Sequence, residues 1–252
     1  MSLNLSGKKF LVTGAGRGIG RAVTKALCEQ GCKVYALSRS KGPLDSLAAE
    51  CPNVEIIQAD VGNWDELKEK IEKIETLDGL VNNAAFSDEA TLSSLEVSNK
   101  YLQKIFAVNL FGSINATQIV AKKMIADGRP GSIVNVSSIF ALQAAPGYLA
   151  YTVSKAGMDM VTKQFALELG PHNIRVNSVN PTLVMTEASK NFIAQGHPIE
   201  KLFLERTPMP RIPEEEEIAA PILYFLSDMS SMVSGTIHII DGGLTSSFST
   251  KM

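Results

Sequence analysis

Cysteine is scarce: Cys28, Cys32 and Cys51 are the full set in 252 residues. An odd count without metal-like spacing argues against a disulfide scaffold or a thiolate zinc site. The three read as reduced thiols of a cytoplasmic protein. Histidine is as rare. His172, His197 and His238 are scattered, form no metal-ligand cluster, and read as structural or solvated, so no metal is expected. No apolar run is long enough to span a bilayer, and MSLNLSGKKF carries no apolar signal-peptide core. Neither charge dominates. With 24 basic against 26 acidic side chains, there is no general attraction to nucleic acid or anionic membrane, and neither is expected as a partner. The length suits one large α/β domain or two small ones, with a core that needs no staples, and a single domain over residues 1–252 is expected.

What is present is alternation. KFLVTG reads as a buried strand and GIGRAVTKALCEQG as a helix, with Ile19, Val23, Ala26 and Leu27 on one face and Gly31 as its stop. Strands follow at 33–38, 54–60, 78–84, 131–138, 174–180 and 236–243. NWDELKEKIEKI starts a helix at Asn63, with Glu66 placed for a capping box. Longer helices are expected over about 100–126 and 151–169. Short apolar strands between amphipathic helices predict a Rossmann-type, doubly wound sheet of seven mostly parallel strands covered on both faces. Residues 181–213 break the rhythm, and so long a connection is usually functional or mobile. PEEEEIA (213–219) suits a helix start, with glutamates against the helix dipole.

TGAGRGIG, Thr13 to Gly20, lies between the first strand and first helix. Glycine lets a backbone turn tightly and approach a ligand without a Cβ, and a helix N-terminus offers free N–H groups to phosphate. Gly14, Gly18 and Gly20 give GxxxGxG, not the general dinucleotide fingerprint. A phosphate site follows from the placement, with Gly16 and Ile19 inside it. YTVSK sets Tyr151 and Lys155 one helical turn apart at the start of the 151–169 helix, so both lie on one face.

TGxxxGIG, NNAA (82–85), AVNL with Asn109, NVSS ending at Ser138, and Tyr151 thirteen residues later together resemble the short-chain dehydrogenase/reductase family. Ala85 stands where the family has glycine. The likeness covers nearly the whole chain. It implies a catalytic set of Asn109, Ser138, Tyr151 and Lys155. A free tyrosine, with a pKa of about 10, is a poor base at neutral pH. A nearby ammonium and an oxidised nicotinamide are expected to lower that value, so that Tyr151 exchanges a proton with a substrate oxygen. Ser138 would hydrogen-bond the same oxygen; no GxSxG elbow surrounds it, which argues against a hydrolase. The resemblance further implies that Lys155 contacts the nicotinamide ribose and Asn109 holds a relay water. It also implies that Asp60 and Val61 meet adenine, that Asn83 lies at the cofactor, and that Val184 and Thr186 meet the carboxamide. Thr182 replaces a family glycine in NPTLVMT.

The second strand ends in Ser38-Arg39-Ser40, where an acid would select NAD. With Arg17 in the loop, this corner suits a 2′-phosphate, and NADPH/NADP+ is the expected cofactor. Within the family, YALSRSKGPLDSLAAECPNVE, ALELGPHNIRVNSVNPTLVMT and YFLSD resemble the dicarbonyl/L-xylulose reductases. That implies reversible reduction of L-xylulose to xylitol, reduction of α-dicarbonyls such as diacetyl, and a homotetramer. Gln143 and Tyr148 are candidate substrate contacts, although Ile139, Phe140 and QAAPGYLA look apolar for a sugar pocket. Two alternatives stay open: a 3-oxoacyl thioester or steroid reductase of the same fold, and a non-catalytic NADP-binding regulator.

Overall fold

Alternate residues of the first strand, β1 (Lys9–Thr13), feed two different apolar layers. Phe10 and Val12 join one and Leu11 the other, as the two-residue period of a strand dictates. The strand can be apolar throughout because both faces are covered. The same holds for β2 (Lys33–Ser38), β4 (Gly79–Asn82) and β5 (Gly131–Val136). With β3 (Val54–Gln58), β6 (Ile174–Pro181) and β7 (Ile237–Ile240) they form one sheet in the order β3-β2-β1-β4-β5-β6-β7. Every pairing is parallel, so "mostly parallel" becomes entirely so. The computed structural model describes residues 3–87, 93–194 and 199–246.

Helices α1 (Gly18–Glu29), α2 (Lys41–Glu50) and α9 (Glu215–Leu226) cover one face, through Val23, Leu27, Leu44, Leu47, Ile218 and Ile222. On the other lie α3 (Trp64–Glu72), α5 (Gly112–Ala126) and α6 (Leu149–Leu169), through Leu67, Ile71, Ala116, Val120 and Leu169. From β1 the chain winds outward to β3, then crosses to β4 on the opposite side. That reversal opens a crevice at the carboxyl ends of β1 and β4, where ligands bind in open α/β sheets.

Four local readings need revision. Helix α2 was not among the expected elements; its Pro43 lies in the first turn and costs no intrahelical hydrogen bond. The expected 100–126 helix is α4 (Asn99–Phe106) and α5 joined by a π-turn at Ala107–Phe111. Residues 181–213 contain α7 (Glu187–Ala194) and α8 (Ile199–Arg206). Pro213 precedes the N-cap of α9, where Glu214 and Glu217 form a capping box. Asn63 does cap α3, its side chain accepting from Glu66 N at 3.3 Å.

Cys32 and Cys51 are buried and all three thiols are free. Burial pushes Cys28 up to about 12 and Cys32 to about 11, so neither is a reactive thiolate. His172 is exposed in a short turn after α6, His238 lies on β7 beside the Phe225 ring, and His197 is outside the described residues. Among the described residues no His, Cys, Asp or Glu cluster could hold a metal, and no helix is long and apolar enough to cross a membrane.

Candidate active site

Thr13, the last residue of β1, ties the first two parts of the site together. Its hydroxyl accepts from Asn83 N at 3.0 Å and Ala84 N at 3.1 Å, and donates to Val81 O at 3.3 Å. Asn83 returns the contact, donating from Nδ2 to the main-chain oxygens of Thr13 (3.0 Å) and Gly14 (3.2 Å). The glycine loop after β1 is thereby stapled to the segment after β4. Gly20 sits inside this staple: a Cβ there would lie 2.3 Å from Gly14 O and 2.4 Å from Asn83 Nδ2, which no side chain tolerates. Gly18 is needed for its backbone, at φ +59°.

A cavity of about 710 Å³ runs over this loop, lined by Gly14, Arg17, Gly18, Ser38, Arg39, Ser40, Asp60, Val61, Asn83, Tyr151 and Thr186. Most of the residues expected at a dinucleotide are thus brought together. Gly16 and Gly20 support it from behind; Gly16 packs on Pro43, whose Cβ would be 3.0 Å from an added Cβ. Ile19 and Val184 line a second cavity instead. No side chain caps α1, so the N–H groups of its first turn suit an anion. Arg17 and Arg39 are exposed, and neither guanidinium has a partner among the described residues. Asp60 closes its own turn, Oδ1 accepting from Gly62 N at 2.9 Å. Thr186 caps α7, Oγ1 accepting from Ser189 N at 3.1 Å.

The second cavity, about 370 Å³, meets the first at Arg17, Asn83, Tyr151 and Thr186, and adds Ser138, Tyr148, Lys155 and Thr182. Thr182 carries a buried hydroxyl with no partner among the described residues. A bare donor in the wall of the second cavity fits a polar ligand group, and the residues that line the two cavities together suit a dinucleotide. Gln143 is exposed and outside both cavities, a correction to its expected place at the substrate. The short turn Ile139–Ala141 carries the chain outward before it is reached, and Gln143 N closes that turn on Ile139 O at 3.1 Å.

Lys155 is 1% exposed and donates to Val136 O at 2.8 Å, with its ammonium 5.6 Å from the Tyr151 ring centre. Burial lowers its pKa to about 8, against the raising influence of Asp159. Burial pushes the Tyr151 hydroxyl up to about 12, while a hydrogen bond with Ser138 pulls it down. Among the chain's own groups the expected lowering by Lys155 does not occur: desolvation of the phenolate dominates, and the ammonium faces a backbone oxygen. A phenol held this high is protonated at neutral pH and is placed to donate.

Asn109 lies in the π-turn, fully buried; such turns recur at functional sites. Its Oδ1 accepts from Phe86 N (2.7 Å), and Nδ2 donates to Phe86 O (3.0 Å) and Ser154 Oγ (3.2 Å). Its side-chain donors are committed to bracing the segment after β4 against α6. A further network was not foreseen. Asn180 Nδ2 donates to Ser138 O at 3.0 Å and Asp159 Oδ2 at 2.8 Å, and Ser178 donates to Asp159 Oδ1 at 3.3 Å. It fixes Ser138 and sets an acid one turn beyond Lys155. Asp159 alone gives no sequence signal, since polar residues on a helix usually face water.

Comparison with known proteins places the chain among dehydrogenases and reductases. A family profile described as enoyl-(acyl carrier protein) reductase matches residues 14–245. The chain is 43% identical over 243 residues to L-xylulose reductase of Homo sapiens, covering 96% of this chain and 98% of that one. It is 42% identical over 247 residues to carbonyl reductase (NADPH) 2 of Sus scrofa, covering 98% and 100%. Among solved structures, a gluconate 5-dehydrogenase from Burkholderia cenocepacia in complex with NADP and tartrate superposes with a TM-score of 0.90 at 27% identity, over 97% of this chain and 98% of that one.

Proposed function

The chain belongs to the short-chain dehydrogenase/reductase family and is an oxidoreductase; from that premise we propose that it is an NADPH-dependent carbonyl reductase acting on small molecules in the cytoplasm. The observation that carries the reading is the sharing of Tyr151 by two cavities. One would take the dinucleotide, and the other, which holds Ser138, would take the substrate. The names of the relatives and the resemblance above bring forward two substrate classes: ketoses, with reversible conversion of L-xylulose to xylitol, and α-dicarbonyls such as diacetyl.

The nicotinamide, when bound, supplies the hydride. The chain's own residues do the rest. Ser138 and Tyr151 hydrogen-bond the substrate oxygen and stabilise the charge that develops there. Tyr151 donates its proton to that oxygen, acting as general acid. Lys155 contributes a positive charge behind the phenol, and Asn109 keeps the segment after β4 against α6. Val184 and Thr186 would contact the carboxamide, Asp60 and Val61 the adenine, and Arg17, Ser38, Arg39 and Ser40 the 2′-phosphate. Loss of NADPH absorbance on adding diacetyl, with slower loss of NADH, is the expected result. An intact chain that oxidises neither nucleotide with any carbonyl would instead support the regulator reading.

We further propose a homotetramer. Helix α6 exposes Val153, Met160 and Leu167 at seven-residue spacing, with exposures of 47, 62 and 74%. Such a stripe suits burial against another copy. A monomeric mass by light scattering at micromolar concentration would refute it.

A further inference from the structure

Beyond Tyr151 the second cavity is walled by rings. Phe140, in the turn after β5, lies 5.3 Å from Tyr148, 6.4 Å from Phe203 of α8, and 6.3 Å from Tyr151 at 86°, edge to face. Ile139, Phe203 and Leu244 are buried together, with Phe140 and Leu183 packed against them. This cluster is separate from the two layers that hold the sheet to its helices. It bounds the reaction cavity, and both phenylalanines and Leu183 line that cavity directly.

The polar groups on this side are mostly spent. Ser137 Oγ donates to Lys155 O at 3.1 Å, Ser189 Oγ to Val184 O at 2.6 Å, and Lys155 to Val136 O. Ser138 and Tyr151 are assigned to the reacting carbonyl. Among the described residues Tyr148, Thr182 and the exposed Ser87 remain, with Arg17, Asn83 and Thr186 at the end shared with the first cavity, few for a sugar that carries a hydroxyl on every other carbon. Each hydroxyl buried without a partner weakens binding roughly tenfold. An apolar group of matching shape gains by a similar factor for each buried carbon or two.

We propose that Phe140 and Phe203 set substrate choice, so that this protein reduces carbonyls bearing an aryl or bulky alkyl group, aryl α-dicarbonyls above all, in preference to open-chain ketoses. The carbonyl sits on Ser138 and Tyr151, the apolar group against Phe140 and Phe203, and a second carbonyl within reach of the Tyr148 hydroxyl. The proposal rests on the carbonyl-reductase reading and chooses between the substrate classes that reading leaves open.

The test is kcat/KM at saturating NADPH for 1-phenyl-1,2-propanedione, diacetyl and L-xylulose, in wild type, Phe140→Ala, Phe140→Leu and Phe203→Ala. The wild type should favour the phenyl dione over L-xylulose by about a hundredfold or more, from two or more unpaired hydroxyls. Phe140→Ala and Phe203→Ala should each lower phenyl dione efficiency by about tenfold or more, mainly through KM, while diacetyl stays within about threefold. Phe140→Leu keeps an apolar wall and should retain the preference, which separates lost wall from lost fold. L-xylulose equal to or better than the phenyl dione overturns the proposal and leaves the reductase reading intact. Equal losses on diacetyl and the phenyl dione in both alanine variants also overturn it. No turnover of any carbonyl overturns both.

Discussion

Lys155 donates from Nζ to the main-chain oxygen of Val136, 2.8 Å away at the end of β5. The bond fixes where the ammonium points, and burial lowers its pKa to about 8. The sign is unusual for a paired lysine, because desolvation outweighs the nearby acid. The charge is present below about pH 8 and lost above it, whereas Tyr151, pushed up to about 12, keeps its proton through that range. The kcat/KM for carbonyl reduction should therefore be level on the neutral side and fall as pH rises through about 8. An alkaline limb near the ordinary lysine value of about 10.4 would contradict this.

Asp159 gives the second prediction. It is 7% exposed, accepts hydrogen bonds from Asn180 and Ser178, and raises the Lys155 pKa. Asp159→Asn preserves size and removes the negative charge. The alkaline limb of kcat/KM should move to lower pH, since nothing then opposes the desolvation of Lys155. A purely structural role would lower thermal stability and leave the limb in place.

The cofactor corner gives the third. Arg39 and Arg17 line the first cavity, and neither guanidinium has a partner among the described residues. A charge-assisted hydrogen bond is worth about 1.5–3 kcal/mol, and each 1.4 kcal/mol is about tenfold. Two exposed, non-additive contacts should favour NADPH over NADH by roughly ten- to a thousandfold. Arg39→Asp should collapse NADPH efficiency and keep or raise that of NADH, because the carboxylate can accept from a free 2′-hydroxyl. An unchanged ratio of kcat/KM at fixed ionic strength would contradict the assignment.

The sheet was legible because its strands are short, apolar and spaced by amphipathic helices. Gly31, Asn63 and Gly170-Pro171 also mark helix ends by chemistry that acts locally. Tyr151 and Lys155 were legible because a helix makes four-residue spacing into proximity. The unread parts are those where distant residues decide. Thr13 gains its role only when β1 and β4 are neighbours. Asp159 joins the site only through Asn180 and Ser178 of β6. Phe203 reaches the cavity from a segment whose helices no strong periodicity announced. The balance of charge and burial at Tyr151 was not legible, because sequence spacing reports a neighbouring charge but not the desolvation that pushes Tyr151 up and Lys155 down.

Tyr151→Phe tests the central claim most directly. The substitution keeps the ring against Phe140 and removes only the hydroxyl. NADPH affinity, followed by fluorescence, should stay within about threefold, while turnover of diacetyl falls by about a hundredfold or more, the range expected when a general acid is lost. Near-normal turnover with unchanged NADPH binding would show that another group delivers the proton and would contradict the mechanism.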